Sequence, residues 1–377
     1  MYEVPVNKIE KLIERADPPG LWNEILDSIT PETPSGLYSA ASLINSGLHV
    51  IEAFNRILEK ADEIKRAVFG NEIKLFVPVY LSNVCINNCA YCAYRRDNLE
   101  MPRKTLTEEE FRDEIIKVTG MGYRVLELVT GESPSLIVPG TLANYVKIAR
   151  EILDNAPVAG KPSEIILMSW ALDGDEFESV KNAGADSFYL WQETYEEAIY
   201  GKVHDTRFPK ADFSWRLGVF DRAIKSGIRR FGIGVLFGLG RFEFDLLALI
   251  SHGKYLEETY GITIDALGIP RFKPAEGAPM VEPLHEVTDE MLKLAVALYR
   301  LAFPKSHVFL NTREKLNLLY ELLGCGGSEM NIACAVYPGG YTRPTTERQF
   351  QHYSYPTEKT IESLKERGYA VGDYFNR

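Results

Sequence analysis

Short apolar runs alternate along the chain with longer segments whose apolar residues recur every three or four positions. The short runs, rich in β-branched and aromatic residues, predict eight strands at 72–83, 123–130, 163–170, 185–192, 229–238, 263–269, 306–312 and 329–336. The longer segments predict eight helices at 107–121, 142–155, 174–184, 193–201, 215–227, 243–261, 289–302 and 313–324. This alternation, without an antiparallel cluster, predicts a (β/α)8 barrel, and a doubly wound open sheet is the alternative.

The chain before the first strand has a different pattern. Helical periodicity over 7–16, 21–29 and 49–70 predicts that residues 1–70 form a helical segment packed on the barrel. Residues 71–345 would form the barrel, and residues 346–377 would form a short C-terminal extension.

Unusual residues follow several predicted strands. They are the cysteine-rich segment 85–92 after the first strand, 130–132 after the second, 192–194 after the fourth and 312–314 after the seventh. Because the active sites of (β/α)8 enzymes lie at the carboxyl ends of the strands, these residues are expected on one face.

Composition narrows the class of protein. With 42 basic and 53 acidic residues the net charge is −11, and no basic tract indicates binding to nucleic acid or to an anionic membrane surface. The first twenty residues lack the apolar core of a signal peptide, and no apolar run approaches the ~20 residues of a membrane span. A cytoplasmic protein is expected, and five cysteines do not suggest a disulfide framework.

Three of the cysteines lie within eight residues. Cys85, Cys89 and Cys92 would place three thiolates around one small group, and Cys325 is the next cysteine along the chain. A closed zinc site would need a fourth protein ligand, whereas a [4Fe–4S] cluster held by three cysteines leaves one iron open for chemistry. Zinc completed from elsewhere in the chain and three ordinary thiols remain the alternatives.

The spacing CxxxCxxC, with the aromatic Tyr91 before its last cysteine, resembles the signature of the radical S-adenosylmethionine superfamily. The resemblance implies a [4Fe–4S] cluster on which S-adenosylmethionine is cleaved to a 5′-deoxyadenosyl radical. It also implies that Thr130, Gly131 and Glu132 bind the methionine amino group of this cofactor. A carboxylate opposite an ammonium is a sound pairing.

A narrower resemblance covers residues 60–345. The ordered segments KLFVPVYLSNVCINNCAYCAYRRDN, VTGE, WQETYEEAIY, DFSWRLGVFDRA, GIGVLFGL, GIPRFKPAEG, NTREKL and PGGY resemble the aromatic amino acid lyase branch, which includes 2-iminoacetate synthase and a tyrosine-cleaving hydrogenase maturase. The resemblance implies hydrogen abstraction from the amino group of free tyrosine and Cα–Cβ cleavage to p-cresol and 2-iminoacetate. It further implies an electron donor such as flavodoxin or ferredoxin, and a thiazole synthase partner if the enzyme serves thiamine biosynthesis, or a cofactor-assembly partner.

The same resemblance assigns site residues. Arg313 would hold the substrate carboxylate in a bidentate manner, and Tyr94 would lie near the substrate amino group. Glu193 and Arg216 would contact the ribose and carboxylate of S-adenosylmethionine, and Arg271 is a weaker candidate for cofactor or substrate. His204 is expected to be structural.

Departures from the family pattern concern the substrate. Cys334 stands where the family has a substrate-binding Ser, Ala93 replaces a Gly and Asn311 replaces a Ser. Tryptophan or a modified amino acid is therefore an alternative substrate, and a non-catalytic iron–sulfur scaffold is a rival of another class.

The other cysteines bear on the maturase function. Because no cysteine follows Cys334, the second cysteine triplet of the maturase is not expected, and neither is its cyanide- and carbon monoxide-forming apparatus. Cys325 and Cys334 are expected to be ordinary buried thiols, with a second metal site as the alternative.

Overall fold

A ring of parallel strands organises the structure, a computed structural model that describes residues 1–156, 162–343 and 345–372. The strands are β1 Glu72–Ser82, β2 Val125–Thr130, β3 Glu164–Met168, β4 Ser187–Glu193, β5 Phe231–Val235, β6 Ala266–Gly268, β7 His307–Leu310 and β8 Glu329–Asn331. Each strand pairs with the next, and β1 pairs with both β2 and β8, which closes the ring. The predicted (β/α)8 barrel is confirmed, and the open sheet is wrong.

Aromatic side chains fill the barrel interior. Phe309 lies with its ring centroid 4.3 Å from Phe76 and 6.1 Å from Tyr189. Glycines on the neighbouring strands make room for these rings, since a Cβ at Gly232 would lie 2.6 Å from Cγ of Tyr189. The small residues in β5 and β6 therefore let β4 direct large aromatic side chains into the barrel.

The surrounding helices follow the predicted order. They are α5 Glu108–Gly120, α6 Thr141–Asp154, α7 Gly174–Asn182, α8 Glu197–Val203, α9 Phe213–Leu217, α10 Val219–Lys225, α11 Phe242–Tyr260, α12 Asp289–Ala302 and α13 Leu316–Leu323. Thr107 and Glu110 form a capping box that begins α5. The prediction of a single helix at 215–227 is wrong, because the helix is interrupted at Gly218, which separates α9 from α10. The last predicted helix begins at Leu316, which leaves Arg313 in the loop after β7.

Four helices precede the barrel: α1 Val6–Ile13, α2 Leu21–Ser28, α3 Leu37–His49 and α4 Ile51–Phe69. Both α3 and α4 pack on α12. A Cβ at Gly47 of α3 would lie 2.7 Å from Cδ1 of Leu294, so the helices approach closely where the side chain is absent. The helical nature of this segment was predicted, but α3 was not identified as a separate helix.

The C-terminal residues return to the barrel. The helix α14, Thr357–Glu366, leads to a two-residue strand, β9 Ala370–Val371, which pairs in parallel with the start of β1. Neither element was predicted, and residues 373–377 of the predicted extension lie outside the described residues. The division into three domains stays a prediction. In the described part of the chain, none of the helices combines the length and apolar character needed to span a membrane.

Candidate active site

The loop after β1 carries the cysteine triplet. Cys85, Cys89 and Cys92 line one cavity of about 120 Å³ at the carboxyl end of the barrel. Backbone hydrogen bonds hold this loop at two points: Ile86 N donates to the carbonyl of Glu132 at 3.0 Å, and Ala90 N donates to that of Val203 at 2.9 Å. The loop is therefore fixed against the neighbouring strand ends.

The size of the cavity bears on what the thiols bind. It is several times the ~30 Å³ that one water molecule occupies. Within the described residues, no group of three or more His, Cys, Asp or Glu side chains surrounds a position that could hold one metal ion. Three cysteines on one roomy cavity fit a cluster with an open iron.

The loop after β2 forms a second wall of this cavity. A Cβ at Gly131 would lie 2.6 Å from the carbonyl oxygen of Val84, so only glycine allows this approach to the cysteine loop. Glu132 accepts a hydrogen bond from Nδ2 of Asn87 at 2.5 Å. Burial raises the pKa of Glu132, and a cation placed beside it would favour the ionised carboxylate.

A third wall carries three charged side chains. Oε1 of Glu193 accepts hydrogen bonds from Nζ of Lys210 at 2.7 Å and from Nη2 of Arg216 at 3.2 Å. Burial alone would raise the pKa of Glu193, but the two cations outweigh it and lower this pKa to about 2. Lys210, Arg216 and the ionised Glu193 together carry one net positive charge, which suits an anionic part of a ligand.

A second cavity of about 180 Å³ continues into the barrel interior, and Cys92, Lys210 and Arg216 line both cavities. Arg313 borders the second cavity, with its guanidinium 3.5 Å from the ring centroid of Phe350. Among the described residues, no carboxylate forms a salt bridge with Arg313. The second cavity therefore presents a cation whose hydrogen-bonding fork is available to a ligand.

Part of the lining of this cavity is aromatic and consists of Tyr80, Trp191 and Phe309. Cys334 also lines this cavity, and its sulfur accepts a hydrogen bond from Nδ2 of Asn331 at 3.7 Å. Burial raises the pKa of the Cys334 thiol to about 12. The residue that replaces the family's Ser is thus a neutral thiol at the cavity surface.

The structure thus brings most of the predicted site residues to one region. Those that line one or both cavities are Cys85, Cys89, Cys92, Tyr91, Tyr94, Thr130, Gly131, Glu132, Glu193, Arg216, Arg313 and Cys334. Tyr94 donates its hydroxyl hydrogen bond to the carbonyl of Val336. Its phenol therefore already has a partner in the loop after β8.

Arg271, a predicted site residue, and His204, predicted to be structural, lie apart from the cavity linings. Arg271 forms salt bridges with Glu314 and Asp289, and it is not among the lining residues of either cavity. Its contact with Glu314 instead anchors the residue next to Arg313. His204 bonds the hydroxyl of Tyr91 and the carbonyl of Tyr200, and burial lowers its pKa to about 3. These contacts agree with a structural role.

Cys325 and Cys334 belong to different clusters of buried residues. Its sulfur donates to the carbonyl of Leu322 at the end of α13, and the residue belongs to the main core. The alternative of a second metal held by this pair receives no support from the described residues.

Several residues of the site were not predicted from the sequence. Lys210 follows no strand and belongs to no motif, and Gln349 and Phe350 arrive from a segment predicted as an extension. Asn87 lies inside the cysteine loop, where only the cysteines and Tyr91 were assigned to the site from the sequence. Glu127 could have been identified from the sequence, because it is the one charged residue of the apolar run VLELVT.

Comparison with known proteins defines the class. Residues 79–251 match the model of the radical SAM superfamily, and residues 268–369 match that of the biotin and thiamin synthesis associated domain. These matches agree with the closed parallel barrel and with the three cysteines that line one cavity at its carboxyl end. The chain belongs to the radical S-adenosylmethionine superfamily, whose enzymes use a [4Fe–4S] cluster and S-adenosylmethionine.

Within the superfamily the chain is related to aromatic amino acid lyases. It is 28% identical over 315 residues to 2-iminoacetate synthase of Salmonella typhimurium, which covers 83% of this chain and 80% of that protein. The hydrogenase maturase HydG of Carboxydothermus hydrogenoformans superposes with a TM-score of 0.86 at 31% identity, over 99% of this chain and 85% of HydG. Another HydG structure gives a TM-score of 0.90 at 28% identity, over 98% and 80% of the two chains.

Proposed function

We propose that this enzyme cleaves the Cα–Cβ bond of a free aromatic amino acid, tyrosine, and releases p-cresol and 2-iminoacetate. The observation that supports the proposal most directly is Arg313, a guanidinium without a carboxylate partner in the described chain, on a cavity that adjoins the cysteine-lined one. An α-amino acid bound by its carboxylate there would have its amino group near the cluster side of the cavity. The relation to 2-iminoacetate synthase supports the same chemistry.

The cofactors supply, when bound, a carbon radical that removes a hydrogen atom from the substrate amino group. The chain contributes binding and orientation. Three thiolates hold the cluster, Glu132 pairs with the ammonium of S-adenosylmethionine, and the positive group of Lys210 and Arg216 binds its carboxylate. Arg313 fixes the substrate carboxylate in a fork, which limits rotation of the amino group about the reacting position.

Aromatic side chains form part of the surface beside the proposed substrate position. Trp191 and Phe309 lie edge to face, with centroids 5.5 Å apart. Phe350 covers the outer side of Arg313. Aromatic neighbours strengthen the pairing of Arg313 with a carboxylate, because fewer water molecules can compete for the same hydrogen bonds.

A direct assay tests the proposal. The reconstituted enzyme is incubated without oxygen with a reductant, S-adenosylmethionine and tyrosine, and the products are separated by chromatography. We expect 5′-deoxyadenosine and p-cresol in comparable amounts. If 5′-deoxyadenosine forms without p-cresol, tyrosine is not the substrate. If S-adenosylmethionine is not cleaved at all, a non-catalytic iron–sulfur scaffold becomes the better account.

The role of Arg313 has its own test. Arg313→Met should raise KM for the amino acid roughly 100-fold, because a charge-assisted bidentate contact contributes about 3 kcal/mol. Affinity for S-adenosylmethionine should remain that of the wild type. Arg229→Met, at an exposed arginine just before β5 at the opposite end of the barrel, is the control. An unchanged KM in Arg313→Met would remove Arg313 from the substrate site.

Cys334 supports a second candidate, the same chemistry on tryptophan or a modified amino acid. A thiol is a weaker hydrogen-bond donor than the hydroxyl of Ser and is larger, so the carboxylate end of the substrate is held differently. The assay above, run with tryptophan and followed by detection of its lost side chain, separates the two candidates. A flavodoxin or ferredoxin is proposed as the reductant, and a thiazole synthase or a cofactor-assembly protein as the recipient of the product.

A further inference from the structure

Glu127 is an acidic residue in the middle of a buried strand. Its neighbours in β2 are apolar or Thr, and its register partners on the adjoining strands are Pro78 and Ile166. The residue is only 4% exposed. The local sequence therefore offers this carboxyl group no partner.

One oxygen of this carboxyl group is also unpartnered in three dimensions. Oε1 of Glu127 has no hydrogen bond within the described residues. Native structures seldom leave a buried polar atom without a hydrogen-bond partner, because the lost hydration is then not replaced. Because Glu127 also lines a cavity, its unpaired carboxyl oxygen points to a ligand that supplies the missing contact.

The cavity that Glu127 lines is the one that Arg313 borders. Arg313 follows the carboxyl end of β7, whereas Glu127 lies three residues before the end of β2, roughly 10 Å deeper along the strand. Trp191 and Phe309 line the same cavity. An amino acid held by its carboxylate at the mouth would extend its side chain past aromatic walls towards Glu127.

The electrostatics of this position fit a hydrogen-bonding role. Burial, together with repulsion from Glu329, raises the pKa of Glu127 to about 8. A carboxyl group in this state can donate or accept a hydrogen bond, and a cation beside it would ionise it.

We propose that Glu127 determines substrate specificity by binding a hydrogen-bond donor at the far end of the substrate side chain. The substrate is thus an α-amino acid whose side chain ends in a hydroxyl, an indole N–H or an ammonium group. The inference rests on the proposed function for the orientation of the substrate, and it deepens that function by naming the group that is recognised.

Equilibrium binding to the reconstituted enzyme with S-adenosylmethionine tests the inference. Three pairs of amino acids differ mainly in the donor: tyrosine and phenylalanine, tryptophan and 1-methyltryptophan, lysine and norleucine. The wild type should bind the donor member of one pair at least about tenfold more tightly, because a buried carboxyl left unpaired opposes the other member. Glu127→Leu should reduce that ratio to about twofold or less, and Glu127→Gln should keep part of it.

The control is Glu114→Gln. Glu114 is a buried glutamate of α5 that accepts hydrogen bonds from the backbone of Tyr341 and Thr342 and lines neither cavity. This variant should retain the wild-type ratio. If Glu127→Leu does not fold, as judged by circular dichroism, the comparison rests on Glu127→Gln, which keeps the shape of the side chain.

The outcomes separate the inference from the proposed function. A preference for tyrosine that is lost in the Glu127 variants supports both, whereas a preference for lysine lost in the same way supports the inference and contradicts tyrosine cleavage. No preference in any pair, no binding of any of the six, or a preference that the variants retain would overturn the role of Glu127. In that case the p-cresol assay still decides the lyase activity.

Discussion

Lys210 shows how a single side chain outside every motif sets the charge of the site. Its ammonium donates to Glu193 and also lies 5.5 Å from the ring centroid of Tyr91, beside the last cluster cysteine. Its backbone N–H donates to Oδ1 of Asn87, so the same residue contacts the cysteine loop. The positive charge between the two cavities depends on this contact and on Arg216.

Replacing this ammonium should weaken cofactor binding. Lys210→Met leaves Glu193 with Arg216 as its cation and removes the net positive charge, so affinity for S-adenosylmethionine should fall about tenfold, or about 1.4 kcal/mol. Titration of the reconstituted enzyme with S-adenosylmethionine measures the change. Lys202→Met, at an exposed lysine of α8, should bind as the wild type does. Equal affinities for the two variants would show that Lys210 has no part in cofactor binding.

The residues that carry the chemistry differ in how well the sequence predicts them. Cys85 and Glu132 follow strands in a fixed order, so their meeting follows from the parallel barrel. Lys210 and Gln349 reach the cavities from long connections, and no local pattern fixes where such a segment returns. Arg271 is the opposite case, a predicted ligand contact that the fold does not support. Its position at the end of a strand suggested this contact, but its guanidinium already forms salt bridges with two acidic side chains.

At the scale of elements, the strands were predicted well because their apolar runs are buried on both faces. The helix α3 was missed because its buried face consists partly of small residues, Ala40, Ala41 and Gly47, which give a weak apolar period. The strand β9 has two residues, and its pairing depends on the exposed edge at the start of β1. Packing, more than local preference, determines these elements.

A buried histidine of α11 packs against the N-terminal segment. This residue makes the folding stability of the protein depend on pH. The ring of His252 stacks on Tyr2 with centroids 4.4 Å apart, and its Nδ1 bonds the hydroxyl of Tyr195 at 2.8 Å. Burial lowers the pKa of His252 to about 3. Between that value and about 6.5 the unfolded chain binds a proton that the folded chain does not, so folding stability falls as pH falls.

The variant His252→Gln should remove this dependence. At pH 7.5 we expect it to be about 1–2 kcal/mol less stable than the wild type, because the ring contacts are lost. The wild type should lose about 1.4 kcal/mol per pH unit relative to the variant below pH 6.5, so the difference should close or reverse by pH 5. Denaturant unfolding at pH 5, 6 and 7.5 measures this, with exposed His49→Gln as the control. If the difference in unfolding free energy between the two proteins stays constant with pH, His252 is not the source of the pH dependence.

For the molecule as a whole, a buried ionic group joins strands at the end of the barrel opposite the cysteines. Nζ of Lys74 in β1 lies 2.9 Å from Oε2 of Glu164 in β3 and 3.0 Å from Oε1 of Glu329 in β8. Glu164 has further partners in Ser187 and Arg230. Among the described residues, the salt-bridge partner of Glu329 is Lys74, and burial raises the pKa of Glu329 to about 7. The lysine thus compensates a carboxylate at the seam where β1 meets β8.

Removal of this lysine should destabilise the barrel without altering the site. Lys74→Met leaves Glu329 buried without its cation, which should cost about 3–5 kcal/mol in the free energy of unfolding. The double variant Lys74→Met/Glu329→Gln should recover a large part of the loss, because no unpaired carboxylate remains at that seam. Affinity for S-adenosylmethionine, measured well below the unfolding midpoint, should match the wild type in both variants, since binding takes place at the other end of the strands. A double variant as unstable as the single one would mean that Lys74 acts through packing of its side chain, and the charge of Glu329 would then have little part in closing the barrel.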